Sequence, residues 1–498
     1  MNVNPITRLD YPDPDVIRVE DTYYMVSTTM HFMPGCEILQ SFDLVHWEHV
    51  TYVYETLDHT DAQQLKSGQN IYGQGMWAAS LRYHEGRFYI CFVANDTRKT
   101  YLYTSEKIDG PWKKQLIEGF YHDASLLFDE DGRNYIVYGN DEIWITELNE
   151  DLTAPKKDGL HRLLVSDHKN PELGYEGSHI QKINGYYYIF LVHSLRDRWM
   201  RTEACFYSDS LEGEFTGGDV LCDDRGYCGQ GVAQGGIVDT PDGKWYAMLF
   251  QDSGAVGRIP ILLPVTWKDH FPFFGQNGHV PEEIEVHSTR PGYIYQPLVG
   301  SDDFCNGLLP RWQFNHDPDP RYYHLDALQG TYTITTREVC TELTQAVNTL
   351  TQRMSYPSCA AEVTVDASAL KEGDVAGLCA LQGCYAAVGI TKHHGKYEVL
   401  MLDKKEDGIL DMTEGTVVES HQMDFRLEAD FCNMKDEARC YYRVNKGDWL
   451  PIGTVHKLYF KLDHFTGCRF GLFCYAAEET GGSACFRDFK YYDVDEIS

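Results

Sequence analysis

The sequence predicts an all-β protein: a five-bladed β-propeller followed by a β-sandwich. Three observations carry that expectation. Helical periodicity is nearly absent along the 498 residues. One pattern of short strands recurs five times before Pro281. From Asp302 the texture changes to alternating strands separated by polar, Gly-rich turns.

Each of the five stretches runs as strand, Gly or Asp turn, aromatic strand and second hairpin. The aromatic strands centre on Tyr23-Tyr24-Met25, Phe88-Tyr89-Ile90, Tyr135-Ile136-Val137, Tyr187-Tyr188-Ile189 and Tyr246-Ala247-Met248. They recur roughly every 45–65 residues, the length of a four-stranded propeller blade. Closure into a ring is expected, because five open hairpins would leave edges prone to aggregation. The boundaries expected are a propeller over 1–290, a linker over 291–301 and a sandwich over 302–498. Thr331-Tyr332-Thr333-Ile334, Ala361 to Val365, Tyr385 to Ile390 and Tyr397 to Met401 are strands of the sandwich.

The formal net charge of −32 repels phosphate backbones and anionic headgroups, which argues against nucleic acid and membrane partners. Neutral sugars are compatible with it. Aromatic residues make up 13% of the chain, which suits both β-sheet cores and sugar-stacking surfaces. The first residues show no basic stretch followed by an apolar one, and no apolar run approaches ~18 residues. A cytoplasmic location is the expectation. The 15 Cys are scattered without CxxC pairs and read as reduced, mostly buried thiols. The sequence leaves a homo-oligomer open.

Three carboxylates stand at the heads of stretches one, three and four: Asp13 between two prolines, Asp123 in His122-Asp123-Ala124-Ser125, and Glu176 in Tyr175-Glu176-Gly177-Ser178. In a propeller the first strand of each blade lines the central channel, so equivalent strand starts converge. Glycosidic bond cleavage needs a proton donor for the leaving oxygen and a second carboxylate for water or direct attack. Asp15 competes with Asp13, since strand alternation puts both on one face.

With these motifs in order, the chain resembles glycoside hydrolase family 43. Tyr11-Pro12-Asp13-Pro14-Asp15, Met76-Trp77-Ala78, His122-Asp123-Ala124-Ser125 and Tyr175-Glu176-Gly177-Ser178-His179 carry the resemblance, which covers the whole chain. Gln352-Arg353 and Gly373-Asp374 resemble the sandwich of the xylosidase and arabinofuranosidase branch. The resemblance implies inverting hydrolysis, and a second domain covering the propeller mouth favours exo action, so the leading expectation is release of terminal α-L-arabinofuranose, β-D-xylose or both from xylo- and arabino-oligosaccharides. The alternatives are a non-catalytic carbohydrate-binding or sensor protein, or an endo-arabinanase. It implies Asp13 as general base, Glu176 as general acid, and Asp123 as the group that positions Glu176 and raises its pKa. It also implies Trp77 and Arg258 at the sugar, with His31 and Phe32 as further lining. No cofactor is expected to be required. A structural Ca²⁺ in the propeller channel is the one metal considered, with Gln234 its candidate ligand where many relatives place a His.

Overall fold

The structure, a computed structural model, describes residues 2–493. Five four-stranded antiparallel sheets form the blades of a propeller. Their inner strands are Asp15–Val19, Met76–His84, Ser125–Phe128, Glu176–Ile183 and Ala233–Asp239. Each packs beside the next, and the fifth packs beside the first, so the ring closes. The N-terminus seals the seam. Asn2–Val3 pairs with Glu283–Ile284, and the Asn4 side chain bonds to both backbone groups of Leu262. Among the described residues, no helix is long and apolar enough to cross a membrane. All 15 cysteines are free.

A local device repeats in every blade. Asp13, Ala78, Asp123, Gly177 and Gln234 adopt positive φ angles of 51°, 22°, 48°, 65° and 64°. Each lies two residues before an inward-facing residue: Asp15, Ser80, Ser125, His179 and Gly236. Bulges interrupt the ladder between Trp77 and Ser80, Glu176 and His179, and Ala233 and Gly236. Such bulges re-aim side chains at the rim of a sheet. Left-handed backbone is strained for all but glycine, so the surroundings must hold these residues in place.

The inward residues bind the blades together. Asp15 Oδ2 accepts from Leu81 N at 2.7 Å. Ser80 Oγ accepts from Leu126 N at 3.1 Å, and Ser125 Oγ from Ile180 N at 3.0 Å. Arg82 fills the channel, donating to Asp15 Oδ2 at 2.8 Å, Ser125 Oγ at 2.6 Å and Leu126 O at 2.9 Å. His179 Nδ1 lies 3.0 Å from Asp15 Oδ1.

Residues 285–300 run along the first blade, where Gln296 N donates to Glu48 and Tyr295 Oη accepts from Phe42 N. The sandwich follows, with sheets of nine and seven strands. One of the nine, Phe32–Met33, comes from the propeller and pairs with Gln313–Asn315. The sandwich core also takes in Ala255, Val256 and Ile259 of the fifth blade. Apolar packing is therefore continuous between the domains, and buried charges tie them further. Arg353 Nη1 lies 2.8 Å from Glu37 Oε2. Asp10 accepts from the backbone amides of Arg258 and Gly467, both at 2.7 Å.

Candidate active site

A small cavity opens at the end of the channel where the left-handed residues gather. Asp13, Trp77, His122, Asp123, Glu176, Arg201, Gln234 and Arg258 line it from the propeller, and Leu462 and Phe465 from the sandwich. Its volume is about 100 Å³, below the few hundred Å³ of pockets that enclose larger ligands.

The three acids do converge, but they are not strictly equivalent. Asp13 and Asp123 share the left-handed position of their blades. In blade four Gly177 holds that position, and Glu176 stands one residue earlier. The bulge after Glu176 turns its carboxylate to the cavity. Gly177 N donates to Asp123 Oδ2 at 3.0 Å, so Asp123 fixes the backbone next to Glu176. A side chain on Gly177 would collide with Gln234, whose Cγ lies 2.7 Å from an ideal Cβ. The same capture of a left-handed amide recurs twice. Thr28 Oγ1 accepts from Ala78 N at 2.8 Å, and Glu203 Oε2 accepts from Gln234 N at 2.7 Å.

Asp13 is held on both oxygens. Arg258 Nη1 donates to Oδ1 at 2.7 Å, and the Thr28 hydroxyl donates to Oδ2 at 2.5 Å. Asp15 is outside the cavity, locked in the channel by Arg82 and His179. This separates the two candidates that strand alternation left together. Arg258 is itself fixed by Asp252 and lies 3.6 Å over the Phe465 ring. Trp77 forms a wall, its ring edge-on to Phe465 with centroids 5.0 Å apart.

The electrostatics reverse one expectation. Asp123 was expected to raise the pKa of Glu176. Burial would raise Glu176, but the hydrogen bond and charge of His122, with Arg201 and Arg258, hold it below its ordinary range. Asp123 is the raised acid: burial and the charges of Glu176 and Asp13 outweigh His122 and push it up to about 6. Burial opposes the charged form of His122, yet Asp123 and Glu176 push it up to about 9. Ligating atoms of His122, Asp123 and Glu176 all lie within 4.8 Å of one another.

His31 and Phe32 do not line the cavity. They are drawn into the domain interface because their strand joins the sandwich sheet. His31 packs among Phe32, Tyr72, His316 and His464, with ring centroids 4.3–5.3 Å apart. Phe32 lies beneath the Arg469 guanidinium at 3.4 Å. Gln234 lines the cavity. The channel donors do not fit a calcium ion, since the Arg82 guanidinium already places a positive charge against Asp15 and Ser125.

Sequence reasoning missed His122, Arg201, Glu203, Leu462 and Phe465. Arg201 had a readable signal. It opens the third strand of blade four, Arg201–Ser208, as Arg258 opens that of blade five, Arg258–Lys268. Leu462 and Phe465 had none, because they lie in a loop of the other domain.

A five-bladed propeller with three clustered acids under a sandwich-borne cap defines a glycoside hydrolase. Residues 3–272 match the model of glycosyl hydrolases family 43, and residues 301–492 match the β-xylosidase C-terminal concanavalin A-like domain. The chain belongs to glycoside hydrolase family 43 and is a glycosidase. It is 27% identical to a β-xylosidase of Formosa agariphila over 99% of this chain and 89% of that protein. It is 26% identical to a non-reducing end α-L-arabinofuranosidase of Bacteroides ovatus, over 66% of this chain and 63% of that one. Among solved structures, a bifunctional GH43-CE protein of Bacteroides eggerthii superposes with a TM-score of 0.91 at 42% identity. That match covers 100% of this chain and 64% of the longer one.

Proposed function

We propose that the protein is an exo-acting, inverting glycosidase that removes terminal α-L-arabinofuranose, β-D-xylose or both from short xylan-derived oligosaccharides. One observation carries this reading: the three acids share a cavity of about 100 Å³ that Leu462 and Phe465 wall from the sandwich. A capped cavity of this size suits one terminal sugar and excludes a continuous chain. The β-xylosidase and arabinofuranosidase relatives support the choice of pentoses.

In this reading Asp13 takes a proton from water as the water attacks the anomeric carbon, and Glu176 protonates the departing oxygen. Asp123 positions Glu176 through the Gly177 amide. In the free protein His122 holds a proton beside Glu176, and Glu176 is the member that passes it on.

The test is release of nitrophenol from nitrophenyl α-L-arabinofuranoside and β-D-xyloside, with the first-formed sugar followed by NMR. Release with inverted anomeric configuration is expected. Release of neither sugar would defeat the reading, and retained configuration would defeat the inverting mechanism.

A further inference from the structure

Arg201 lines the cavity, and its guanidinium keeps donor capacity that no described residue meets. The residue is only 3% exposed. Burial and repulsion from Arg258 push its pKa down to about 9. Its Nη1 donates to Asp252, but its Nε is buried without a partner. Trp77 Nε1, on another wall of the cavity, is also buried and unpartnered. An unmet buried donor costs more than a matched hydrogen bond returns, and a charged one costs most. Of the nearby carboxylates, Asp252 bonds Arg201 Nη1 and Arg258 Nε, Asp13 bonds Arg258 and Thr28, and Glu176 Oε2 bonds His122 and Asn140. A ligand oxygen in the cavity would meet the remaining donor capacity.

We propose that Arg201 is a specificity-determining residue whose guanidinium donates to a hydroxyl oxygen of the terminal sugar. This rests on the glycosidase reading above. The geometry suits the role. Arg201 and Arg258 open equivalent strands of neighbouring blades, paired with Ser194 and Asp252 respectively. Asp252 clamps both guanidiniums. The Trp199 ring, 5.1 Å from the Arg201 guanidinium carbon, holds it from the side. A planar fork fixed in this way reads oxygen positions that a flexible ammonium would not. A neutral hydroxyl fits better than an anionic substituent, because Asp13 and Glu176 already bring two carboxylates to the cavity. A site built to bond a hydroxyl rejects the analogue lacking it.

The experiment compares the wild type, R201K and R201M on the two nitrophenyl pentosides and on monodeoxy analogues of whichever is cleaved. In the wild type, one deoxy position should lower kcat/KM on the order of 10- to 100-fold. R201M should lose a similar factor on the parent glycoside and nothing further at that position. R201K keeps the charge but loses the planar guanidinium fork, so it too should be indifferent to that position, which covers the case in which R201M does not fold. Cleavage by the wild type, with both folded variants penalised at every deoxy position as the wild type is, overturns the Arg201 proposal alone. An unchanged kcat/KM on the parent glycoside does the same. No cleavage by the wild type overturns the glycosidase reading and this proposal together.

Discussion

His122 Nε2 lies 3.2 Å from Glu176 Oε2 and 3.5 Å from Asp123 Oδ2, so one imidazole bridges two of the three acids. Its folded pKa of about 9 stands above an ordinary imidazole near 6.5. The folded protein therefore binds this proton more tightly than the unfolded chain does. The stabilisation is complete below about pH 6.5 and is lost as pH rises through 9, with an upper bound of about 3 kcal/mol. The melting temperature of the wild type minus that of His122→Asn should shrink across this window. A constant difference from pH 6.5 to 9 would remove His122 from the charge cluster.

Asp13→Asn and Asp15→Asn should fail in different ways. Asp13 faces the cavity, so Asp13→Asn should lower kcat of the folded enzyme at least 10³-fold. Asp15 faces Arg82 and His179 inside the channel. Losing that buried charge should cost about 3 kcal/mol or more, with kcat of the folded enzyme within a few-fold of wild type. Denaturant melts and steady-state kinetics on both variants check this. The converse result would exchange the two roles.

Glu203 is fully buried, and burial pushes its pKa well above the carboxylate range. It therefore acts as a neutral acceptor for Gln234 N. Glu203→Gln should preserve stability and KM. Glu203→Leu should strand the Gln234 amide at a cost of about 1–3 kcal/mol and raise KM, because Gln234 packs on Gly177 beside Glu176. Equal KM values for the two variants would show that the contact does not shape the cavity.

Phe465→Ala should lower kcat/KM at least tenfold, measured where circular dichroism shows the variant folded. The ring covers Arg258 and abuts Trp77, so its loss opens the cavity to water. Stability should fall by about 3 kcal/mol. Unchanged kcat/KM would mean that the sandwich loop does not serve the site.

The blades were legible because their aromatic strands repeat, and the acids were legible because each opens a repeat. The one-residue offset of Glu176 was not. It depends on the bulge before His179, and Gly177 reads as an ordinary turn residue. His31 and Phe32 read as pocket residues because their loop belongs to the propeller in sequence, although its strand joins the sandwich in space. The pKa reversal was hidden for a related reason. His122 adjoins Asp123 in the chain, but only the fold brings Glu176 to its other side.

The Asp10–Gly467 contact spans 457 residues. It places Arg258 beside the loop that carries Phe465, joining the segment before the first blade to the sandwich. During synthesis, a chain that has emerged only as far as the fifth blade already displays all three acids but has no roof over them. The cavity is therefore complete only once the sandwich loop that carries Leu462 and Phe465 has docked on the propeller.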